Sequence, residues 1–339
     1  MIQYLLKKQH KVIVAGNSWQ LNYLTQTFPG IETLLLNGYE IRYPKDGRWF
    51  SLNILKQLPQ LLRSIKQENI WLREQCNKLK VDAVISDNRY GLYHPSIPTV
   101  IMTHQLAPKT GLGIWADRLF KFLHDKLLKK FSKCWVVDVA EEPNLSGDLG
   151  HPRSTNNQIE YLGLLSQFSD RDSLPKSKEH LLILLSGPEP QRTILSKMLW
   201  QQVIQLKQPI VFVEGSHNAI KPDVIPSHIA YYQQLIKEDL LPILYKASMV
   251  VCRSGYSTLM DLVAVDKKAI LIPTPGQAEQ EYLAKKLNRE GVFYSSIQQD
   301  FQLAHHLVSV EKFPFNKINL KYGLNQYQNV LDTWLNDLP

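Results

Sequence analysis

Short β-branched runs alternate with longer amphipathic stretches along most of the chain. Residues 12–15 and 31–36 each read as a strand. Residues 55–79 carry apolar positions at helical spacing, with Pro59 expected to break or begin the helix. Three more short strands are predicted over 81–86, 99–102 and 134–137, with a helix over 115–131. Strands alternating with helices predict a parallel sheet covered on both faces. A polar region rich in turn formers follows from 141 to 157, and a strand over 159–163 ends the first unit.

After a polar stretch the pattern restarts. Strands are predicted over 180–185, 210–214, 229–232, 249–252 and 269–272. Helices are predicted over 191–206, 240–246, 258–265 and 279–289. The expected organisation is an α/β chain of two Rossmann-like domains, 1–163 and 179–315, joined by a linker over 164–178. Residues 316–339 are expected to be helical and to pack back on the first domain. Two such units place ligands at the carboxyl ends of the strands, in the cleft between the domains.

Composition narrows the class. The length of 339 residues suits two domains, and 44% hydrophobic against 21% charged residues is ordinary for a globular core. Cys76, Cys134 and Cys252 are far apart and form no CxxC pair, so neither a disulfide framework nor structural zinc is expected, and a reducing cytosol fits them. The opening residues lack a signal-peptide core, and no apolar run approaches the roughly 18 residues that span a bilayer. A soluble or membrane-peripheral protein is the expectation. The net charge of +8 favours anionic partners. No basic stripe interleaves with stacking aromatics, so nucleic acid ranks last among them.

Three loops in the second unit follow strands directly. They are Ser186-Gly187-Pro188-Glu189-Pro190-Gln191-Arg192, Arg253-Ser254-Gly255-Tyr256-Ser257-Thr258 and Pro273-Thr274-Pro275-Gly276-Gln277. In a parallel sheet all three emerge on one edge. Small residues let a backbone approach a ligand closely, and the helix after the second loop offers free N–H groups to a phosphate. Asp261, early in that helix, can accept hydrogen bonds from a ribose diol. Each loop alone is equally a turn and an N-cap, and an acidic residue in a first turn is favoured by the helix dipole. Their convergence on one edge favours a site.

Residues 247–258, followed by 269–282 with Gln277, Gln280 and Glu281, resemble the donor-binding signature of family 28 glycosyltransferases. Bacterial members that glycosylate a lipid-linked acceptor share this pattern. The resemblance implies a GT-B fold with parallel sheets facing a central cleft. It implies a UDP-sugar donor, N-acetylglucosamine the expected sugar, inversion at the anomeric carbon, and no cofactor or obligatory metal. It also implies a lipid-linked or glycan acceptor. On this pattern Arg253, Ser254, Gly255, Ser257 and Thr258 face the pyrophosphate, with Ser186, Gly187 and Arg192 in support. Asp261 stands where the family has a ribose-binding Glu. Gln280 and Glu281 stand where it has a sugar-holding Gln pair, so Glu281 departs from the pattern.

The first unit must supply a base for the acceptor hydroxyl. Asp87, on the loop Ser86-Asp87-Asn88-Arg89-Tyr90-Gly91, and His104, on the loop Thr103-His104-Gln105-Leu106, are the candidates. Asn88, Arg89 and Gln105 are acceptor-side candidates. Asp87 alone reads equally as a turn former, and His104 as a satisfied imidazole. The resemblance also implies a first strand and a glycine-rich loop bearing a histidine ahead of the first helix. Residues 1–8 already read as that helix, and His10 precedes the strand at 12–15, so that loop is not in this sequence.

Trp115, Leu119, Phe122, Leu123, Leu127 and Phe131 share one helical face, with Lys121, Lys126, Lys129 and Lys130 elsewhere. The helix is either an interfacial one on acidic lipids or a core-packing one with a solvated basic side. Weak peripheral association with the inner face of the cell membrane is therefore an expectation. Two alternatives compete with the transferase: a UDP-sugar 2-epimerase and a non-catalytic nucleotide-sugar binder. The epimerase needs several cleft carboxylates and histidines, which are few in the second unit. A dehydrogenase is disfavoured because only Gly16-Asn17-Ser18, and no GxGxxG, follows the strand at 12–15.

Overall fold

In the N-terminal unit the strands split into two sheets. The computed structural model describes residues 1–39, 50–152, 159–168, 179–216 and 219–338, with the side chains of 50–55 excepted. Its elements begin with α1 (Ile2–Lys7), β1 (Ile13–Gly16), α2 (Ser18–Thr27), β2 (Glu32–Leu35) and α3 (Phe50–Leu79). They continue with β3 (Val84–Asp87), β4 (Thr99–Thr103), α4 (Ile114–Leu128), β5 (Lys133–Val136) and β6 (Ile159–Tyr161). β1 pairs only with β2, and β3-β4-β5-β6 form a separate four-stranded parallel sheet. Among the described residues no ladder joins the two.

The predicted break at Pro59 does not occur: α3 runs through it. Proline removes one helical donor, and this one lies on an exposed part of the helix. Helix α2 was not expected from periodicity. Its start is fixed locally by a capping box, in which Gln20 N donates to Asn17 Oδ1 (2.9 Å) and Asn17 N donates to Gln20 Oε1 (3.0 Å).

The face predicted on α4 is not a core face. Trp115 is 81% exposed, Leu119 61% and Phe122 56%, with Ile114 and Leu123 also open. Only His124 of the helix is buried, and burial lowers its pKa to about 4. Phe131, beyond the helix, is buried in the core around β4 and β5. Arg118 lies over the Trp115 ring and Lys126 over the Phe122 ring. No helix among the described residues is long and apolar enough to cross a membrane.

The C-terminal unit holds one continuous parallel sheet. Its strands are β7 (His180–Leu184), β8 (Ile210–Val213), β9 (Ile229–Tyr232), β10 (Ala247–Cys252), β11 (Ala269–Leu271) and β12 (Tyr294–Ser295), in the order β12-β11-β10-β7-β8-β9. Helices α5 (Gln191–Val203), α6 (Lys237–Lys246), α7 (Tyr256–Ala264), α8 (Ala278–Arg289) and α9 (Leu303–Ser309) intervene or follow. Strands covered on both faces bury every side chain, as β8 does, and so read as unbroken apolar runs.

The chain then returns to the N-terminal unit as α10 (Gln326–Asn336). Trp334 packs edge-on against Trp135 of β5, with ring centroids 5.2 Å apart. Tyr4 of α1 donates its hydroxyl hydrogen bond to Asp332 at 2.6 Å. The two passages between the units touch each other, because Leu164 N donates to Gly323 O at 3.0 Å. Gly163 sits at φ +76°, and a Cβ there would stand 2.0 Å from the same oxygen, so only glycine fits. Of the predicted linker over 164–178, residues 169–178 lie outside the described residues.

Candidate functional site

The strand order of the C-terminal sheet reverses between β7 and β10. From β7 the chain moves outward through β8 and β9, then returns to place β10 on the other side of β7. The crevice at the carboxyl ends of such a pair is where doubly wound sheets bind ligands. Leu184 and Cys252 are register partners at these ends. Three residues beyond each comes a glycine, Gly187 and Gly255. A Cβ built on either meets nothing within 4 Å. The two backbones therefore face open space side by side, with the start of α7 directly after Gly255. This is a geometry that admits a phosphate to backbone N–H groups.

Most of the neighbouring polar side chains face inward. Arg253 is 2% exposed, and its guanidinium donates to the carbonyls of Ile272 (3.1 Å), Pro273 (3.0 Å) and Gln191 (2.9 Å). Burial lowers its pKa to about 10. The expectation that Arg253 faces the pyrophosphate is thus corrected: it ties all three loops together. Ser254 is likewise fully buried and donates to Gln280 O at 2.8 Å. Arg192 is held between Glu189 and Glu214, so its charge is also committed within the protein. Gln280 is buried, with Thr274 N donating to its Oε1 at 2.9 Å. Glu281 accepts from Gly276 N at 2.7 Å and closes the turn before α8.

The groups left to meet a ligand are few. Ser186 and Thr258 are half-buried, and Ser257 is exposed on the first turn of α7. Gln277 Oε1 is enclosed without a hydrogen-bond partner. Asp261 lies on α7 facing the first passage between the units. Its carboxylate accepts from Ser166 Oγ (2.7 Å), Gln167 Nε2 (2.9 Å) and Gln167 N (3.2 Å). Burial raises its pKa, and these hydrogen bonds pull it back down. Ser166 and Gln167, which the sequence did not single out, thus occupy hydrogen-bonding positions on this carboxylate.

Across the cleft, β3 and β4 deliver Asp87 and His104 to the carboxyl edge of the N-terminal sheet. Asp87 reaches solvent, yet the surrounding protein raises its pKa, an effect that nearby His104 partly offsets. Asn88 adopts φ +54° and accepts from Tyr90 OH at 3.2 Å, as expected of a turn-forming Asn. Arg89 is bound to Glu68, with Arg89 Nε 2.6 Å from Glu68 Oε1. The expected acceptor-side role of Arg89 is therefore corrected to an ion pair that fastens this loop to α3.

His104 meets the C-terminal unit. Its ring stacks on Tyr256 at 4.3 Å and 6°, and its Nε2 lies 2.7 Å from Glu279 Oε1. Gln105 Nε2 lies 3.1 Å from the same nitrogen. Farther along α8, Asp148 N donates to Tyr282 OH (2.7 Å) and Lys286 Nζ to Asn144 O (2.8 Å). Glu279, Tyr256 and Tyr282 were not candidates, because nothing in a linear pattern marks a partner 134 or more residues away. Among the described residues no group of three or more His, Cys, Asp or Glu is arranged to hold a metal.

Residues 196–316 match the model of the glycosyltransferase family 28 C-terminal domain. Among curated proteins, the UDP-N-acetylglucosamine–N-acetylmuramyl-(pentapeptide) pyrophosphoryl-undecaprenol N-acetylglucosamine transferase of Prochlorococcus marinus (strain MIT 9215) is 27% identical over 163 residues, 47% of this chain and 44% of that protein. The enzyme of the same name from Caldanaerobacter subterraneus subsp. tengcongensis is 41% identical over 56 residues, 16% of this chain and 15% of that protein. The chain thus spans less than half the length of these relatives. Among solved structures, the glycotransferase of kitacinnamycin superposes with a TM-score of 0.66 at 14% identity, covering 100% of this chain and 94% of the other. Acinetobacter baumannii MurG gives a TM-score of 0.57 at 15% identity over 99% and 93%. At these identities the superpositions establish the fold, which is GT-B.

Proposed function

We propose that this chain, a family 28-like GT-B glycosyltransferase, moves a sugar from UDP to a lipid-linked or glycan acceptor with inversion, N-acetylglucosamine being the expected sugar. The observation that carries the reading is the pair Gly187 and Gly255, open side by side at the switch point between β7 and β10. In this reading the pyrophosphate lies over these two glycines and the first turn of α7. The ribose hydroxyls meet Asp261, and the sugar lies toward Gln277 and the turn held by Gln280 and Glu281. Asp87 and His104 approach from the opposite edge, and one of them accepts the proton of the attacking hydroxyl. The names of the curated relatives support UDP-N-acetylglucosamine as donor and an undecaprenol-linked acceptor.

An acceptor of that kind calls for contact with the cytoplasmic face of a membrane. The exposed face of α4, with Arg118 and Lys126 over its aromatic rings, supports peripheral contact with acidic lipid. The test is incubation with UDP-N-acetylglucosamine and membrane lipids, following UDP release and the fate of the sugar. Acceptor-dependent UDP release is expected. An altered sugar still attached to UDP would make the protein an epimerase, and binding without turnover would make it a non-catalytic nucleotide-sugar binder.

A further inference from the structure

His104 belongs to the N-terminal unit, yet what fixes its ring belongs to the other unit. Tyr256, adjacent to the open Gly255, stacks on one face of the imidazole. Glu279, in the first turn of α8, meets Nε2 at 2.7 Å with both side chains about four-fifths buried (22% and 21% exposed). A carboxylate only accepts hydrogen bonds, so in this pair the proton lies on Nε2. The side-chain hydrogen bonds of His104 with Glu279 and Gln105 both fall on that nitrogen. In the neutral ring Nδ1 is then the nitrogen with a lone pair to offer. The competing arrangement has Gln105 donating to a bare Nε2, and it would require a protonated Glu279.

We propose that Glu279 is a positioning residue that holds His104 in the Nε2–H tautomer, so that Nδ1 serves as the base. This rests on the transferase reading. The acceptor hydroxyl gives its proton to Nδ1 while its oxygen bonds to the anomeric carbon. The anomeric C–O bond to UDP breaks, and its electron pair leaves with the β-phosphate oxygen. The resulting imidazolium has its Nε2–H directed at the Glu279 carboxylate, which stabilises the new charge. Because Glu279 sits on the donor-binding unit, the base is oriented only when the two units are apposed as they are here. Donor-unit position and base competence are then one event.

Two readouts test this on the full chain. The first is imidazole 15N NMR of histidine-labelled protein, with His104→Gln assigning the signal. The wild type should show the Nε2–H form of neutral His104, and Glu279→Ala should shift it toward Nδ1–H. An unchanged His104 signal in Glu279→Ala overturns the proposal, whether or not the protein turns over. The second is UDP release from UDP-N-acetylglucosamine with membrane lipids. Glu279→Gln should lower kcat by about 10- to 100-fold with the donor KM within about twofold, and Glu279→Asp should recover part of the loss. A raised donor KM at unchanged kcat would instead make Glu279 a donor ligand and overturn the positioning role. If wild-type protein releases no UDP while the tautomer responds to Glu279→Ala, the transferase reading fails and the pairing stands.

Discussion

The two edges that face the cleft are built on different principles. On the C-terminal edge the backbone is left open, and polar side chains hold that backbone in shape. Arg253, Ser254, Arg192 and Gln280 all turn inward, leaving Gly187 and Gly255 bare. On the N-terminal edge the groups presented are side chains, Asp87 and His104, and His104 is hydrogen-bonded and stacked by residues of the opposite unit. The sheets differ in the same sense. Six strands run unbroken behind the C-terminal edge, while among the described residues two and four strands stand apart behind the other. A backbone site needs rigidity within one unit, whereas a side-chain site can be completed from outside.

This contrast can be broken at several points. The largest effect is expected at Gly255, whose φ of −69° any residue tolerates and whose Cβ direction is empty. Gly255→Val should leave the melting temperature nearly unchanged while UDP affinity by calorimetry falls by about 100-fold or more, roughly 3 kcal/mol. Normal UDP binding would remove the glycines from the site. Arg253→Ala should do the reverse. It removes a donor from each of three buried carbonyls and the side chain that joins the loops, and denaturant unfolding should show a loss of about 2–4 kcal/mol. A full-strength fold with lost UDP binding would restore Arg253 as a direct phosphate ligand.

Smaller changes sharpen the picture. Asp261→Ala should weaken UDP binding by about tenfold, the worth of a charge-assisted hydrogen bond of roughly 1.5 kcal/mol; unchanged affinity would sink the ribose assignment. On α4, Trp115→Ser with Phe122→Ser should reduce sedimentation with phosphatidylglycerol vesicles by several-fold and leave UDP affinity alone. Equal sedimentation of wild type and variant would remove this face from membrane contact. The smallest effect concerns Asp87. Its folded pKa is raised, so the folded state holds the proton more tightly than the unfolded chain. Its contribution is therefore most favourable below the unfolded value near pH 4 and declines as pH rises through the folded value. Asp87→Asn should raise the melting temperature slightly at pH 7 and flatten its pH dependence above pH 4, measured by calorimetry.

Much of the fold was legible because fully buried parallel strands must be apolar. β8 and β10 announce themselves as such runs, and the loops after β7 and β10 follow from them. The placing of three loops on one edge of the C-terminal sheet was legible for the same reason. The roles within it were not. An arginine directly after a strand reads equally as a phosphate ligand or as a buried tie, and only the carbonyls of Ile272, Pro273 and Gln191 decide between them. Helix α4 displays one apolar stripe whether that stripe meets a core or solvent. Glu279 reads as an ordinary dipole-favoured residue, because its partner lies 175 positions earlier. Helix α2 hid behind weak periodicity, although Asn17 and Gln20 carried its capping box in plain view.

The contact between Gly163 and Gly323 has a mechanical consequence. The chain passes between the units twice, and the two passages are pinned to each other where Leu164 N meets Gly323 O. A single tether would let one unit swivel about its own long axis. Two tethers fastened at a common point resist that torsion. His104 and the open glycines are thereby held in register through a junction that is fastened at two points of the chain rather than one.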